Sequence, residues 1–155
     1  MLRRTLRALA LTTAIAAAAP LHAAEGVDDA VAAWEADPLR VFDAAEIDLD
    51  AFQWRARPVV VFANSTFDPA FTEQMENLLD EGEQLIERDV VIVADTDPDG
   101  GSEIRRRLRP RGFMMVLIGK DGEVELRKPQ PWTVRELSRS IDKMPLRRQE
   151  LREGS

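Results

Sequence analysis

The chain of 155 residues contains no cysteine, no tyrosine and a single histidine, His22, and its formal net charge is −7. Without cysteine there is no disulfide, no thiol nucleophile and no thiolate metal ligand, so thiol–disulfide exchange is excluded. An acidic balance also opposes nucleic acid as a partner, because phosphate backbones select clustered lysine and arginine.

Residues 1–23 place Arg3, Arg4 and Arg7 ahead of an apolar Ala/Leu run over 8–19, then close with Pro20, Leu21, His22 and Ala23. That order is the order of a secretory signal peptide, and the apolar run is too short to span a bilayer comfortably. Export to the periplasm or beyond is therefore expected, with the mature chain starting near Ala24 and no transmembrane anchor after cleavage. Cleavage would also remove His22, leaving neither Cys nor His for base catalysis near neutral pH or for an ordinary zinc site.

Residues 24–48 form an acidic lead-in. A short helix is predicted over 28–36, ended by Asp37-Pro38, with Val27, Val31 and Trp34 on one side to pack on the edge of the domain. Phe52 and Trp54 alternate with polar neighbours, which predicts an extended approach to the first strand. The domain itself is expected over 49–145, with a basic tail over 146–155.

Residues 58–63 are apolar throughout, as in a parallel strand covered on both faces. Asn64, Ser65, Thr66, Phe67 and Asp68 make a polar elbow, and Asp68-Pro69 is a helix start with a carboxylate N-cap and proline at the first helical position. Phe71, Met75, Leu78, Leu79, Leu85 and Ile86 share one helical face, predicting a single helix to about residue 87. Residues 89–94 give a second buried strand, parallel to the first by a right-handed crossover.

The loop 95–101 alternates Asp95, Asp97 and Asp99 before Gly100, like the first half of a calcium loop. Its twelfth position, where such a loop needs a bidentate acid, is Arg106. The alternative is an acidic turn leading to Ser102 as the N-cap of a helix over 103–108. Arg105, Arg106, Arg107, Arg109 and Arg111 are the best anion-binding candidates, or otherwise a solvated helix face. Charge is uneven along the chain: residues 24–103 hold only four bases, Arg40, Arg55, Arg57 and Arg88, whereas 104–155 is basic.

Residues 113–118 and 124–127, joined by a Gly-Lys-Asp-Gly turn, predict an antiparallel hairpin. Thr133 and Glu136 form a capping box, with Trp132 and Leu137 at the positions of a hydrophobic staple. Val134, Leu137, Ile141 and Met144 give the last helix its buried stripe, and Pro145 is predicted to stop it.

The order β-α-β, short helix, β-β-α is an α/β, three-layer plan of thioredoxin-like type. Residues 111–122 (Arg-Gly-Phe-Met-Met-Val-Leu-Ile-Gly-Lys-Asp-Gly) resemble the thioredoxin stretch that carries the cis-proline, which falls here at Met114. The elbow that holds the thioredoxin cysteines is the cysteine-free run 64–68. Both halves of the redox site are missing.

Four further segments, 54–58, 87–91, 118–124 and 141–150, make the chain similar to a secreted thioredoxin-like family known only as a domain of unknown function. That family is found in small bacterial exported proteins and in vertebrate sushi-repeat and equarin-type extracellular matrix proteins. The resemblance implies the fold and no catalytic residues or cofactor.

Three functions follow from the residues. The first and favoured one is a binding or scaffold module. It would use the former redox cleft of Asn64, Ser65, Thr66, Asp68, Gly112, Phe113 and Met114 to hold another exported protein or an extracellular polymer. The second is a calcium or polyanion binder at Asp95, Asp97 and Asp99 or at the arginines. The third is a cysteine-free enzyme using Ser65 or Asp68, which lacks a base suited to neutral pH.

Overall fold

The computed structural model describes residues 22–154, with side chains from Asp29 onward. The expected signal segment lies outside the described residues apart from its last two positions. Among the described residues no helix is long and apolar enough to cross a membrane.

A five-stranded mixed sheet forms the middle layer. Its strands are β1 (Val41–Asp43), β2 (Arg57–Phe62), β3 (Val90–Asp95), β4 (Met114–Ile118) and β5 (Val124–Lys128), in the order β1-β3-β2-β4-β5. β1 and β2 run parallel to β3, β4 runs antiparallel to β2, and β5 antiparallel to β4. Strand β2 is buried along its whole length, as its unbroken Val59-Val60-Val61-Phe62 run requires. Its alternate residues feed two cores. Val59 and Val61 pack with Leu78, Leu85, Ile92, Met115, Leu117, Leu137 and Ile141 on one face. Val60 and Phe62 pack with Val93, Ile104, Leu108, Val116 and Ile118 on the other.

Helices α2 (Pro69–Asp80), α3 (Gly82–Ile86) and α5 (Val134–Ile141) cover the first face, and α4 (Glu103–Leu108) covers the second. The predicted caps all form. Asp68 accepts the N–H groups of Ala70 and Phe71, Ser102 accepts that of Arg105, and Thr133 and Glu136 close a reciprocal capping box. Trp132 packs on the core that contains Leu137, with the Lys128 ammonium 4.0 Å from its ring centroid. The buried Gln74 ties α2 to the start of α5. Its Nε2 donates to the Trp132 carbonyl at 3.0 Å, and its Oε1 accepts the Trp132 N–H at 2.8 Å.

Several expectations are corrected. The long helix expected over 69–87 is two helices, broken at Glu81, where φ −110° and ψ 29° leave the α region. The break turns Leu79 and Ile86 out to solvent, while Leu78 and Leu85 stay buried. Gly82 fits there because the Leu39 side chain fills the space a Cβ would take, 2.6 Å away. The approach to β2 is not extended: residues Leu49–Phe52 form a 3₁₀ turn that buries Phe52. The helix expected over 28–36 forms as α1 (His22–Ala36), and the lead-in also supplies the edge strand β1, which the sequence reading missed. Val31 of α1 joins Phe42, Phe52 and Val91, and Trp34 Nε1 donates to the Val90 carbonyl at 3.1 Å.

The last correction concerns the C-terminus. Pro145 starts a helix rather than ending one. α5 stops at Ile141, Met144 becomes an N-cap, and α6 (Pro145–Glu153) follows from the segment expected as a tail.

The broken helix gives a sharp test. Truncating Leu78 to Ala should cost about 3 kcal/mol in urea unfolding, whereas Leu79→Ala should stay within about 0.5 kcal/mol of wild type.

Candidate binding site

At the carboxyl ends of β2 and β3 lies the elbow that in the resembled redox proteins carries the cysteines. Register pairs Phe62 with Met114, so the elbow and the segment Gly112, Phe113 and Met114 do come to the same end of the sheet. Asn64, Ser65, Thr66 and Phe67 are exposed, Phe67 by 91%. The polar groups there serve the local fold. Ser65 Oγ accepts the Phe67 N–H at 3.1 Å, and the Asp68 carboxylate is occupied by the first turn of α2.

Beneath the elbow, Arg105 fixes the strand ends. Its Nη2 donates to the Ala63 carbonyl at 2.9 Å and to the buried Asp95 carboxylate at 2.6 Å, and Ser102 Oγ donates to the other Asp95 oxygen at 2.7 Å. Of the remaining arginines, Arg106 pairs with Glu103 and Arg107 with Asp50. Arg109 caps α4 in the left-handed region, and Arg111 is exposed. In the aspartate loop, Asp97 Oδ1 accepts the N–H groups of Asp99 and Gly100. Among the described residues no three His, Cys, Asp or Glu side chains gather in a metal-holding group.

The opposite end of the sheet is built differently. Arg57, the first residue of β2, is completely buried, with 0% side-chain exposure. A buried guanidinium needs partners for its donors and a countercharge. Nη1 donates to the Arg88 carbonyl at 2.9 Å and lies 4.0 Å from Asp89, while Nη2 donates to Glu150 Oε1 at 2.9 Å. The Lys120 ammonium bridges Asp89 at 2.7 Å and Glu150 at 3.0 Å. Arg147 reaches the other Glu150 oxygen at 3.4 Å, and Arg88 forms a two-pronged pair with Asp142 at 3.0 and 2.8 Å.

Beside this network sits Trp54, 65% exposed, with a left-handed backbone at φ 65°. Its N–H donates to the Lys120 carbonyl at 2.6 Å, and the adjacent Gln53 Nε2 donates to the Asp121 carbonyl at 2.9 Å. These two bonds clamp the 53–54 turn onto the β4–β5 hairpin. Trp54, Lys120, Leu146, Gln149, Glu150 and Glu153 line an open groove of about 180 Å³.

A family model described as a domain of unknown function, DUF4174, matches residues 48–150. The chain belongs to the DUF4174 family. Among solved structures it is similar to the reduced 2-Cys peroxiredoxin of Plasmodium vivax, at 15% identity and TM-score 0.52, over 67% of this chain and 85% of that one. It also matches a chloroplastic thioredoxin z at 22% identity and TM-score 0.49, over 68% of this chain and 96% of that one. The peroxiredoxin likeness shows the fold alone. The DUF4174 chain thus has a thioredoxin-like fold and no cysteine.

The four segments that carry the family resemblance meet in the network around Arg57. Arg57 comes from 54–58, Arg88 and Asp89 from 87–91, Lys120 from 118–124, and Asp142, Arg147 and Glu150 from 141–150. None of the seven is among the site residues expected from the sequence. The available signal was an arginine placed directly before a buried strand, which has to be neutralised wherever the chain returns.

Burial alone would raise the pKa of Glu150, but hydrogen bonds from Lys120 and Arg57 outweigh it and hold the carboxylate below its ordinary value of 4.5. A depressed folded value means that the ionised group stabilises the fold above the unfolded value, and that this contribution fades as pH falls through the folded value. Glu150→Gln should therefore cost about 2 kcal/mol at pH 7. In urea unfolding at pH values stepped down below 4.5, the gap from wild type should narrow.

Proposed function

We propose that this DUF4174 protein is an exported, non-redox binding module whose recognition surface is the Trp54 groove. Export rests on the charged, apolar, small-residue order of residues 1–23. The observation that carries the binding reading is Trp54 itself. A non-glycine residue in the left-handed region is strained by about 1 kcal/mol, and an indole left in water forgoes the burial that usually repays its size. Glycine would sit at φ 65° without strain. A tryptophan there makes sense as a contact surface, held still by the Lys120 carbonyl and by the charged network behind it.

The groove is favoured over the elbow because it sets the exposed Trp54 indole beside the Lys120–Glu150 pair, whereas the elbow's Ser65 and Asp68 are engaged in local turns. The same engagement weighs against an enzyme: neither group has a neighbouring base among its hydrogen-bond partners.

A Trp54→Gly variant tests the reading in two steps. Its stability in urea should fall within about 1 kcal/mol of wild type. A thermal-shift screen with calcium, sulfated glycans, anionic lipid head groups and peptide pools should then find a ligand that stabilises wild type by about 2.7 kcal/mol at a hundredfold excess over its dissociation constant. That shift should vanish in the variant. A loss of stability of several kcal/mol would make Trp54 structural, and an unchanged shift would move binding elsewhere.

A further inference from the structure

The chemistry of the groove limits what can fill it. Helix α6 has no buried residue, so packing does not explain which of its side chains face the sheet. Leu146, Gln149, Glu150 and Glu153 nevertheless share one face at the spacing i, i+3, i+4, i+7, and that face is the one lining the groove opposite Trp54. The same spacing turns Arg148 and Arg152 to the far side of the helix.

The cations at the groove are spent. Lys120 holds Asp89 and Glu150, and Arg57 is buried against Glu150. An incoming carboxylate, phosphate or sulfate would find no free positive charge and would face Glu150 and Glu153. Glu153 differs from the other acids here. It accepts only a neutral amide, Gln149 Nε2 at 2.8 Å, and forms no ion pair among the described residues. The groove therefore offers an unneutralised carboxylate, an exposed indole face and the aliphatic Leu146 together.

We infer that the Trp54 groove receives a basic side chain, the lysine or arginine of an extended peptide segment in a partner protein. This rests on the binding reading above and adds the ligand class. The aliphatic stem lies along Leu146 and the indole, where long cationic side chains bury their methylenes. The cationic head lies over the π face of Trp54 and within reach of Glu153. Recognition of this kind combines an aromatic contact that survives salt with a carboxylate contact that salt weakens.

The test is a calorimetric titration of the full mature chain with three probes: trilysine, triglutamate and maltotriose. Trilysine should bind. Its affinity should fall about tenfold in Trp54→Gly, roughly the loss of 1.4 kcal/mol expected of a desolvating cation–π contact. It should fall several-fold in Glu153→Gln, and several-fold on raising salt from 0.05 to about 0.5 M. Circular dichroism and urea unfolding confirm that both variants fold.

Trilysine binding that is equal in wild type and both variants would overturn the inference, since attraction to an acidic surface explains it. So would failure of trilysine to bind. Trp54-dependent binding of triglutamate or maltotriose would overturn the basic ligand class and leave the binding module standing. No Trp54-dependent binding of any probe, together with a destabilised Trp54→Gly, would remove both.

Discussion

One buried charge organises this molecule. Arg57 opens the central strand, and its neighbours in sequence, Pro58 and the valine run, commit the strand to the interior. A guanidinium drawn in with them cannot stay unpaired, because a lone buried charge costs several kcal/mol. Its partners come from two distant parts of the chain: the Arg88 carbonyl and Asp89 before β3, and Glu150 on α6. Lys120, in the hairpin turn, closes the circuit through Asp89 and Glu150. The neutralisation of one arginine thus fixes where the crossover, the hairpin and the last helix must meet.

This arrangement divides the labour of the two ends of the sheet. At the carboxyl end of β2 and β3, Arg105 and Asp95 do for α4 what Arg57 and Glu150 do for α6, and Arg105 also lies 5.4 Å from the Phe62 ring centroid. The elbow at that end is cysteine-free, and Asp68 there caps its helix. The amino end carries the Arg57 network, together with two of the three left-handed non-glycine residues among those described, Trp54 and Asp89. Strain and buried charge are thus concentrated at one end of the sheet.

The fold was legible because each core element carries a local signal. The apolar runs of β2 and β3, the Asp68-Pro69 and Ser102 caps, the Thr133–Glu136 box and the Lys120-Asp121-Gly122 turn all formed as their residues dictate. What was missed depends on distant partners. Nothing local in Val41–Asp43 distinguishes a strand from a loop until Ile92 is there to pair with it. Glu81 interrupts a helix whose apolar spacing continues past it, because Leu39 packs against Gly82. Pro145 is predicted to stop a helix, but proline is also at home in the first helical position, and there it opens α6. The charged site was hidden for the same reason: Arg57, Asp89, Lys120 and Glu150 are ordinary surface residues until the fold places them together.

The most direct measurement is amide hydrogen exchange across α6 in Lys120→Met, Glu150→Gln and the double variant. α6 buries no side chain, so the ionic circuit is what holds it. Each single change should speed exchange of its amides, including the Arg148 N–H on the Met144 carbonyl and the Gly154 N–H on the Glu150 carbonyl, by about tenfold or more. The double variant should exchange no faster than the worse single one, since both remove the same coupled contact. Unchanged α6 protection in the single variants, or effects that simply add, would contradict an account in which the helix is fastened through Arg57, Lys120 and Glu150 acting as one unit.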